Sequence, residues 1–409
     1  MRTIATVVSL VALSAVGLQT AHAQSKPWSV SANLRGFYDD NIATTPSGAL
    51  SPAGVKLRQA SFGLELSPSI SLTPKLDQTD LGLSYTYGMK YYENRSNSAD
   101  HSHQAEASLK HEFTPRYKIA FKDSFVLAQE AGLLDPLAAT LIRSDGNNIR
   151  NTVGLDFSAE LTQLLTVEVG YDNTYYDYEQ TGVGSRSALL DRVEHLGKLN
   201  LRWQALPTTV GILGYQFGIV DQTSKELLAP AGALPNTRDN RSQYFFAGAD
   251  HDFNTQLRGS VRAGGQYTEF PDAVPPLRKS SIIPYADVNA SYTYSEGSYV
   301  QLGVKHTRNQ TDIGGSLDQE ITVAYGALTH KITAKLTCNV IGQYNNGSFN
   351  GGASDGLVES TFLGGVNLAY TINQYLTAET GYNYDRLTSD VAGRSFSRNR
   401  VFLGIRATY

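Results

Sequence analysis

Short turns and long polar loops alternate along nearly the whole chain, and this rhythm restricts the fold more than any motif does. Runs of 10–15 residues with apolar side chains at every second position are joined, in turn, by tight turns and by long loops. Side chains alternate across an extended strand, so such runs can be apolar on one face and polar on the other. The tight turns include Thr73-Pro74-Lys75, Thr114-Pro115-Arg116, Thr162-Gln163-Leu164, Leu206-Pro207, Phe253-Asn254-Thr255, Ser295-Glu296-Gly297 and Ile372-Asn373-Gln374. The long loops fall at 39–60, 94–102, 129–147, 179–190, 221–241, 270–280, 310–318, 345–359 and 386–395. A soluble sandwich has no reason to keep every long loop at one end, and no blade-like repeat points to a propeller. The rhythm predicts an all-β transmembrane antiparallel up-and-down barrel, with short periplasmic turns and long extracellular loops. Eighteen strands are counted, with sixteen as the alternative. An even number places both termini in the periplasm.

The N-terminus supports export. Arg2 supplies a positive charge, Ile4 to Leu18 is apolar and small, and Ala21-His22-Ala23 reads as a cleavage site. The apolar run of about 15 residues is short of the roughly 20 that a spanning helix needs. Residues 1–23 are therefore read as a cleaved signal peptide and 24–409 as one barrel domain in the bacterial outer membrane. No later run is long and apolar enough for a helical span, and the mean hydropathy is −0.27. A barrel is compatible with that value, because only alternate residues face lipid. The formal net charge of −4 gives no argument for a nucleic-acid partner. Cys338 is the single cysteine, so an intramolecular disulfide is excluded and no thiol metal site is suggested.

At the C-terminus, Val401, Leu403, Ile405, Ala407 and Tyr409 share the apolar face of a last strand. This ending resembles the signal strand by which outer-membrane barrels engage their insertion machinery. Aromatics gather near strand ends: Tyr91, Tyr92, Tyr175, Tyr176, Tyr178, Tyr267 and Phe270 lead into long loops, and Phe113, Tyr117, Trp203, Phe253 and Tyr375 flank short turns. Two interfacial girdles are expected.

Charged residues opposite the apolar stripes must line water or pair with one another, since Arg or Lys facing mid-membrane lipid costs about 2–4 kcal/mol. Pore-lining candidates are Arg35, Lys90, Arg192, Arg202, Arg258, Arg262, Lys305, Glu379 and Arg406, and Glu320 is placed on the same inward side. Mutual neutralisation along the wall is the expectation for most of them. Arg192, Arg202, Arg258 and Arg262 lean toward a polar conduit. Asp123 falls on the apolar face of strand five, which predicts a bulge or a position near the rim. His101-Ser102-His103 is read as loop, and its histidines as solvated rather than metal-binding. No catalytic elbow, zinc spacing, phosphate loop or cofactor motif is present, so a non-enzymatic protein without cofactor or metal is expected.

Phe37-Tyr38-Asp39-Asp40-Asn41-Ile42, Asp100-His101-Ser102-His103 followed by Phe113-Thr114-Pro115, and Leu190-Asp191-Arg192-Val193-Glu194-His195 resemble the β-barrel porin 2 family across the mature chain. The resemblance implies an outer-membrane conduit or accessory barrel for exopolysaccharide export. Its expected partners are outer-membrane lipid, the insertion machinery, polysaccharide and periplasmic export proteins. It carries no catalytic residues over. A general or sugar-uptake porin and a barrel enzyme acting on lipid or polysaccharide remain as alternatives. The enzyme needs a Ser–His pair within hydrogen-bond reach on the wall.

Overall fold

A computed structural model describes residues 26–74, 76–95, 99–128, 147–229, 232–275 and 277–409. The expected signal peptide and most of the 129–147 loop lie outside these residues. Eighteen antiparallel strands form one closed sheet in which each strand pairs with its neighbours in sequence. They are β1 (Trp28–Asp39), β2 (Ser61–Leu72), β3 (Thr79–Tyr92), β4 (Ala99–Thr114), β5 (Tyr117–Ala128), β6 (Asn148–Thr162), β7 (Leu165–Tyr178), β8 (Arg192–Leu206) and β9 (Thr209–Gln222). The second half holds β10 (Asn240–Asp252), β11 (Leu257–Glu269), β12 (Ser280–Ser295), β13 (Ser298–Asn309), β14 (Asp318–Lys331), β15 (Leu336–Asn350), β16 (Val358–Thr371), β17 (Leu376–Ser389) and β18 (Phe396–Thr408). One short helix, α1 (Arg186–Leu190), sits in a long connection.

Closure comes from β1, which pairs with β2 on one side and with β18 on the other. The terminal residue completes that seam: Tyr409 N–H donates to the Val30 carbonyl at 2.8 Å, and Val30 N–H donates back at 3.0 Å. Its ring lies against Trp28 and Tyr375, and the Lys26 ammonium sits 3.9 Å from the ring centre.

Residues directly opposite one another across a ladder point to the same face, so exposure and register together assign the two sides. The large exposed apolar side chains face outward; examples are Leu34, Leu64, Leu201, Phe245, Leu302, Val366 and Leu403. Val401, Leu403 and Ile405 share that face. So do Phe113, Tyr117, Trp203, Phe253 and Tyr375 beside the short turns. At the other end, Tyr91 and Tyr175 face outward. Tyr92, Tyr176, Tyr178 and Phe270 do not join that girdle, because all four are buried against protein.

The strands run 12–16 residues. At about 3.3 Å per residue and a tilt of about 40°, some ten residues cross a 25 Å apolar band. The surplus extends toward the long connections and carries polar outward residues there. Hydropathy alone reads those ends as loop. His101, Ser102 and His103 accordingly lie within β4, Asn345–Asn350 within β15, and Arg386–Ser389 within β17.

One assignment of side also changes, and the bulge or rim position expected for Asp123 is not found. On β14 the apolar set Ile321, Val323 and Ala327 is buried on the inward face. Glu320 faces outward, where its Oε1 lies 3.0 Å from His306 Nε2. The register fixes this orientation, since Ala324 pairs with outward Val304 and Tyr344. Asp123 sits mid-strand on the outward face with no bulge at its position, between Ala107 and Val153. Asn151 Nδ2 donates to its Oδ1 at 2.7 Å, which gives the carboxylate a polar partner inside the apolar band.

The inner wall and mouth as candidate functional site

The inner wall is organised as cross-strand rows. In one row Asp156 (β6), Gly170 (β7) and Lys198 (β8) are directly opposite one another. Gly170 has no side chain to obstruct the row, so Lys198 reaches Asp156 across it at 2.9 Å and Asp172 at 2.9 Å. Arg35 (β1), Gly404 (β18) and Glu379 (β17) repeat the device at the seam. Arg35 donates to Glu379 at 2.7 Å, Arg406 donates at 2.5 Å, and Glu65 lies 3.7 Å from Arg35. A further group joins Arg202 to Asp250 at 2.9 Å and Arg262 to Asp250 at 2.7 Å, with Glu168 at 3.5 Å.

The two glycines differ in what a methyl group would meet. At Gly170 the neighbours are the ends of the Asp156 and Lys198 side chains, which can swing aside. At Gly404 they include the Leu34 carbonyl oxygen at 2.6 Å and the Arg35 Cα at 3.1 Å. Gly404→Ala is therefore expected to cost about 1–3 kcal/mol in urea unfolding through overpacking, and Gly170→Ala less than about 1 kcal/mol.

Charge is unevenly distributed around the wall. The arc from β12 to β16 presents inward Asn289, Gln301, Asn339, Gln343, Asn345 and Asn367 among hydroxyl and apolar residues. Its inward charges are Asp287 opposite Lys305, with Lys331 and Glu359 at the strand ends. The remaining arc carries the ion-pair rows.

The predicted pore-lining residues differ in their surroundings. Arg35, Glu379 and Arg406 share the seam cluster, and Arg202 and Arg262 share Asp250. Lys90 stands opposite Glu65 and Asp100, and Lys305 opposite Asp287. Arg258 is half exposed near a short turn, 3.0 Å from Asp252. Arg192 is buried on the Tyr176 ring at 3.8 Å, donating to Glu194 at 2.6 Å and to the Leu190 carbonyl at 2.8 Å.

The long connections interlock at the mouth, which the sequence did not foretell. Ser185 caps α1 by accepting from Ala188 N–H at 3.1 Å. Leu189 and Leu190 then pack on Tyr176, Tyr178 and Leu228. Arg238 is fully buried and donates to the Leu189 carbonyl at 3.0 Å and to the Thr311 carbonyl. Burial lowers its pKa to about 10. Arg394 donates to Glu359 and to Asp312, each at 2.7 Å, and its two carboxylates raise its pKa. Phe270, Ala273 and Leu277 pack against Leu317. Asp40 accepts from Asn399 N–H at 2.7 Å and from Arg58 at 2.6 Å.

Asp239 ends a single helical turn at this mouth. Burial, with Asp221 and Asp272 nearby, raises its carboxyl to about 6, against the opposing hydrogen bond from Gln222 N–H. Since an unfolded Asp titrates near 3.9, the folded loop holds this proton more tightly. The stabilisation is complete below about pH 4 and is lost as pH rises through about 6. Hydrogen exchange corrected for intrinsic rates is expected to show greater protection of 235–240 at pH 5 than at pH 7. Asp239→Asn is expected to flatten that difference.

His101, His103, His111, His195, His251, His306 and His330 all face outward near the ends of the strands. Each Nδ1 lies 2.7–2.8 Å from a Tyr or Thr hydroxyl. None of these hydroxyls belongs to a serine. Among the described residues no group of three or more His, Cys, Asp or Glu could hold a metal ion.

A family model described as "Putative beta-barrel porin 2" matches residues 29–409. The chain belongs to that family. Solved structures similar to it include the outer membrane protein OpdK from Pseudomonas aeruginosa, at 12% identity, 93% coverage of this chain, 99% of that chain and a TM-score of 0.44. A BenF-like porin from Pseudomonas fluorescens Pf-5 gives 9%, 93%, 99% and 0.45. The FrpB iron transporter from Neisseria meningitidis gives 11%, 94%, 82% and 0.46. No curated protein matches the chain.

Proposed function

We propose that this porin-like barrel is a non-enzymatic outer-membrane channel that conducts glycan chains, as a conduit or accessory protein in exopolysaccharide export. The observation that carries the reading is the inner wall itself. Its charges are largely neutralised in pairs, and its β12–β16 arc offers amides and hydroxyls, which match the donors and acceptors of sugar hydroxyls. A wall of this kind binds polar, weakly charged chains without a strong field of one sign. The signal peptide, the outer-membrane address and the periplasmic export partners belong to the same proposal.

The test is single-channel recording on the refolded barrel with neutral oligosaccharides of graded length, followed by gene deletion. Current steps blocked by oligosaccharide, with loss of secreted polysaccharide on deletion, support the reading. Blocked steps with unimpaired secretion and slowed growth on sugars point to an uptake porin instead. A folded barrel without conductance overturns the passive channel.

A further inference from the structure

A track of cations and hydroxyls climbs the inner wall from β4 to β7. In one row Ser108, Lys122, Gly154 and Asp172 are opposite one another. Two residues further toward the mouth the row is Glu106, Ser124, Thr152 and Thr174. Two further on it is Gln104, Val126, Arg150 and Tyr176. Lys122 and Arg150 are thus separated by four residues of strand, about 13 Å, with three hydroxyls between them. Lys110 lies two residues below Lys122 on the neighbouring strand.

These cations differ from the others on the wall. The carboxylates nearest Lys122, Asp156 and Asp172, are both engaged by Lys198 at 2.9 Å. Lys110 and Lys198 crowd it with like charge. Glu106 accepts from Gln104 Nε2 at 2.8 Å, Glu112 takes Lys118 at 2.6 Å, and Glu194 takes Arg192 at 2.6 Å. Asp80 faces Lys110 in register without closing to an ion pair. Among the described residues neither Lys122 nor Arg150 has a carboxylate partner, whereas Lys118, Arg192 and Lys198 do. Gly154, directly opposite Lys122, adds no side chain at that station.

We infer that this track is a binding site for carboxylate-bearing sugars, with Lys122 and Arg150 each receiving a carboxylate and Ser124, Thr152 and Thr174 hydrogen-bonding the hydroxyls between. The inference rests on the conduit reading and narrows its cargo to acidic glycan. The spacing suits a chain with charges two to three sugar units apart rather than a free sugar acid.

The experiment uses the full-length refolded barrel in a planar bilayer, with trigalacturonate, galacturonate and maltotriose as blockers. A charged hydrogen bond is worth roughly tenfold or more in affinity. The double variant K122Q/R150Q is therefore expected to need about 100-fold more trigalacturonate for half-block, with maltotriose unchanged. K118Q, whose lysine is committed to Glu112, is expected to behave as wild type. Heat-modifiable mobility on gels verifies that each variant is folded. Equal trigalacturonate block of wild type and double variant overturns the site, as does galacturonate blocking as tightly as the trimer. If no current flows, calorimetry with the same probes on detergent-solubilised barrel decides separately. Trigalacturonate binding lost in the double variant upholds the site while the passive channel fails, and absence of binding to wild type overturns the site.

Discussion

Glu379→Ala is expected to lower the unfolding free energy of the barrel by about 3 kcal/mol, read by urea titration of Trp28 and Trp203 fluorescence. Glu379 is 2% exposed and receives Arg35 from β1 and Arg406 from β18. Its removal leaves two guanidinium groups facing each other beside the seam where the chain closes on itself. Glu65, 3.7 Å from Arg35, compensates in part. Glu379→Gln keeps an acceptor and is expected to lose less. Glu112→Ala, which breaks an exposed pair with Lys118, is expected to cost no more than about 1 kcal/mol. If the Glu379 and Glu112 variants unfold alike, the buried cluster contributes nothing beyond a surface pair.

The sequence carried the architecture because a barrel wall is a local pattern. Each strand announces itself by alternation and most short turns by a Pro, Gly or Asn, so eighteen strands were countable without any long-range information. Sidedness on β14 was misread because Ile321, Val323 and Ala327 form the more apolar stripe, yet the ladder with β13 and β15 turns that stripe inward. Strand ends such as His101–His103 and Asn345–Asn350 were misread for a different reason. Above the apolar band hydrogen bonding continues while hydropathy does not. Which charges pair was illegible, because it depends on which residues two strands apart fall on either side of a glycine, as at Gly170 and Gly404. The interlocked mouth left no periodic signal. Arg238, Asp312 and Arg394 are separated by up to 156 residues of chain and look like ordinary loop charges.

That mouth leads to the second large effect. Arg394→Ala is expected to raise hydrogen exchange in 310–317 and 390–395 by about 100-fold, from a local loss of about 3 kcal/mol. Arg394 is the sole cation shared by Asp312 and Glu359 in the ion pairs described, and Glu359 has only 1% of its side chain exposed. Without the guanidinium two buried carboxylates repel each other, so the pair separates by moving the 310–318 connection, the softer of the two elements. That connection also supplies the Thr311 carbonyl that holds Arg238 and the Leu317 side chain that packs on Phe270. The disturbance therefore spreads to the 223–239 and 270–279 connections. Arg394→Lys restores charge but cannot serve both carboxylates in the same fork, so it is expected to recover only part of the protection. Protection of β16 and β17 within the apolar band should stay at the wild-type level, because their ladders do not depend on the mouth. Exchange that rises equally in loops and strands would mean that Arg394 supports the whole barrel rather than latching its mouth.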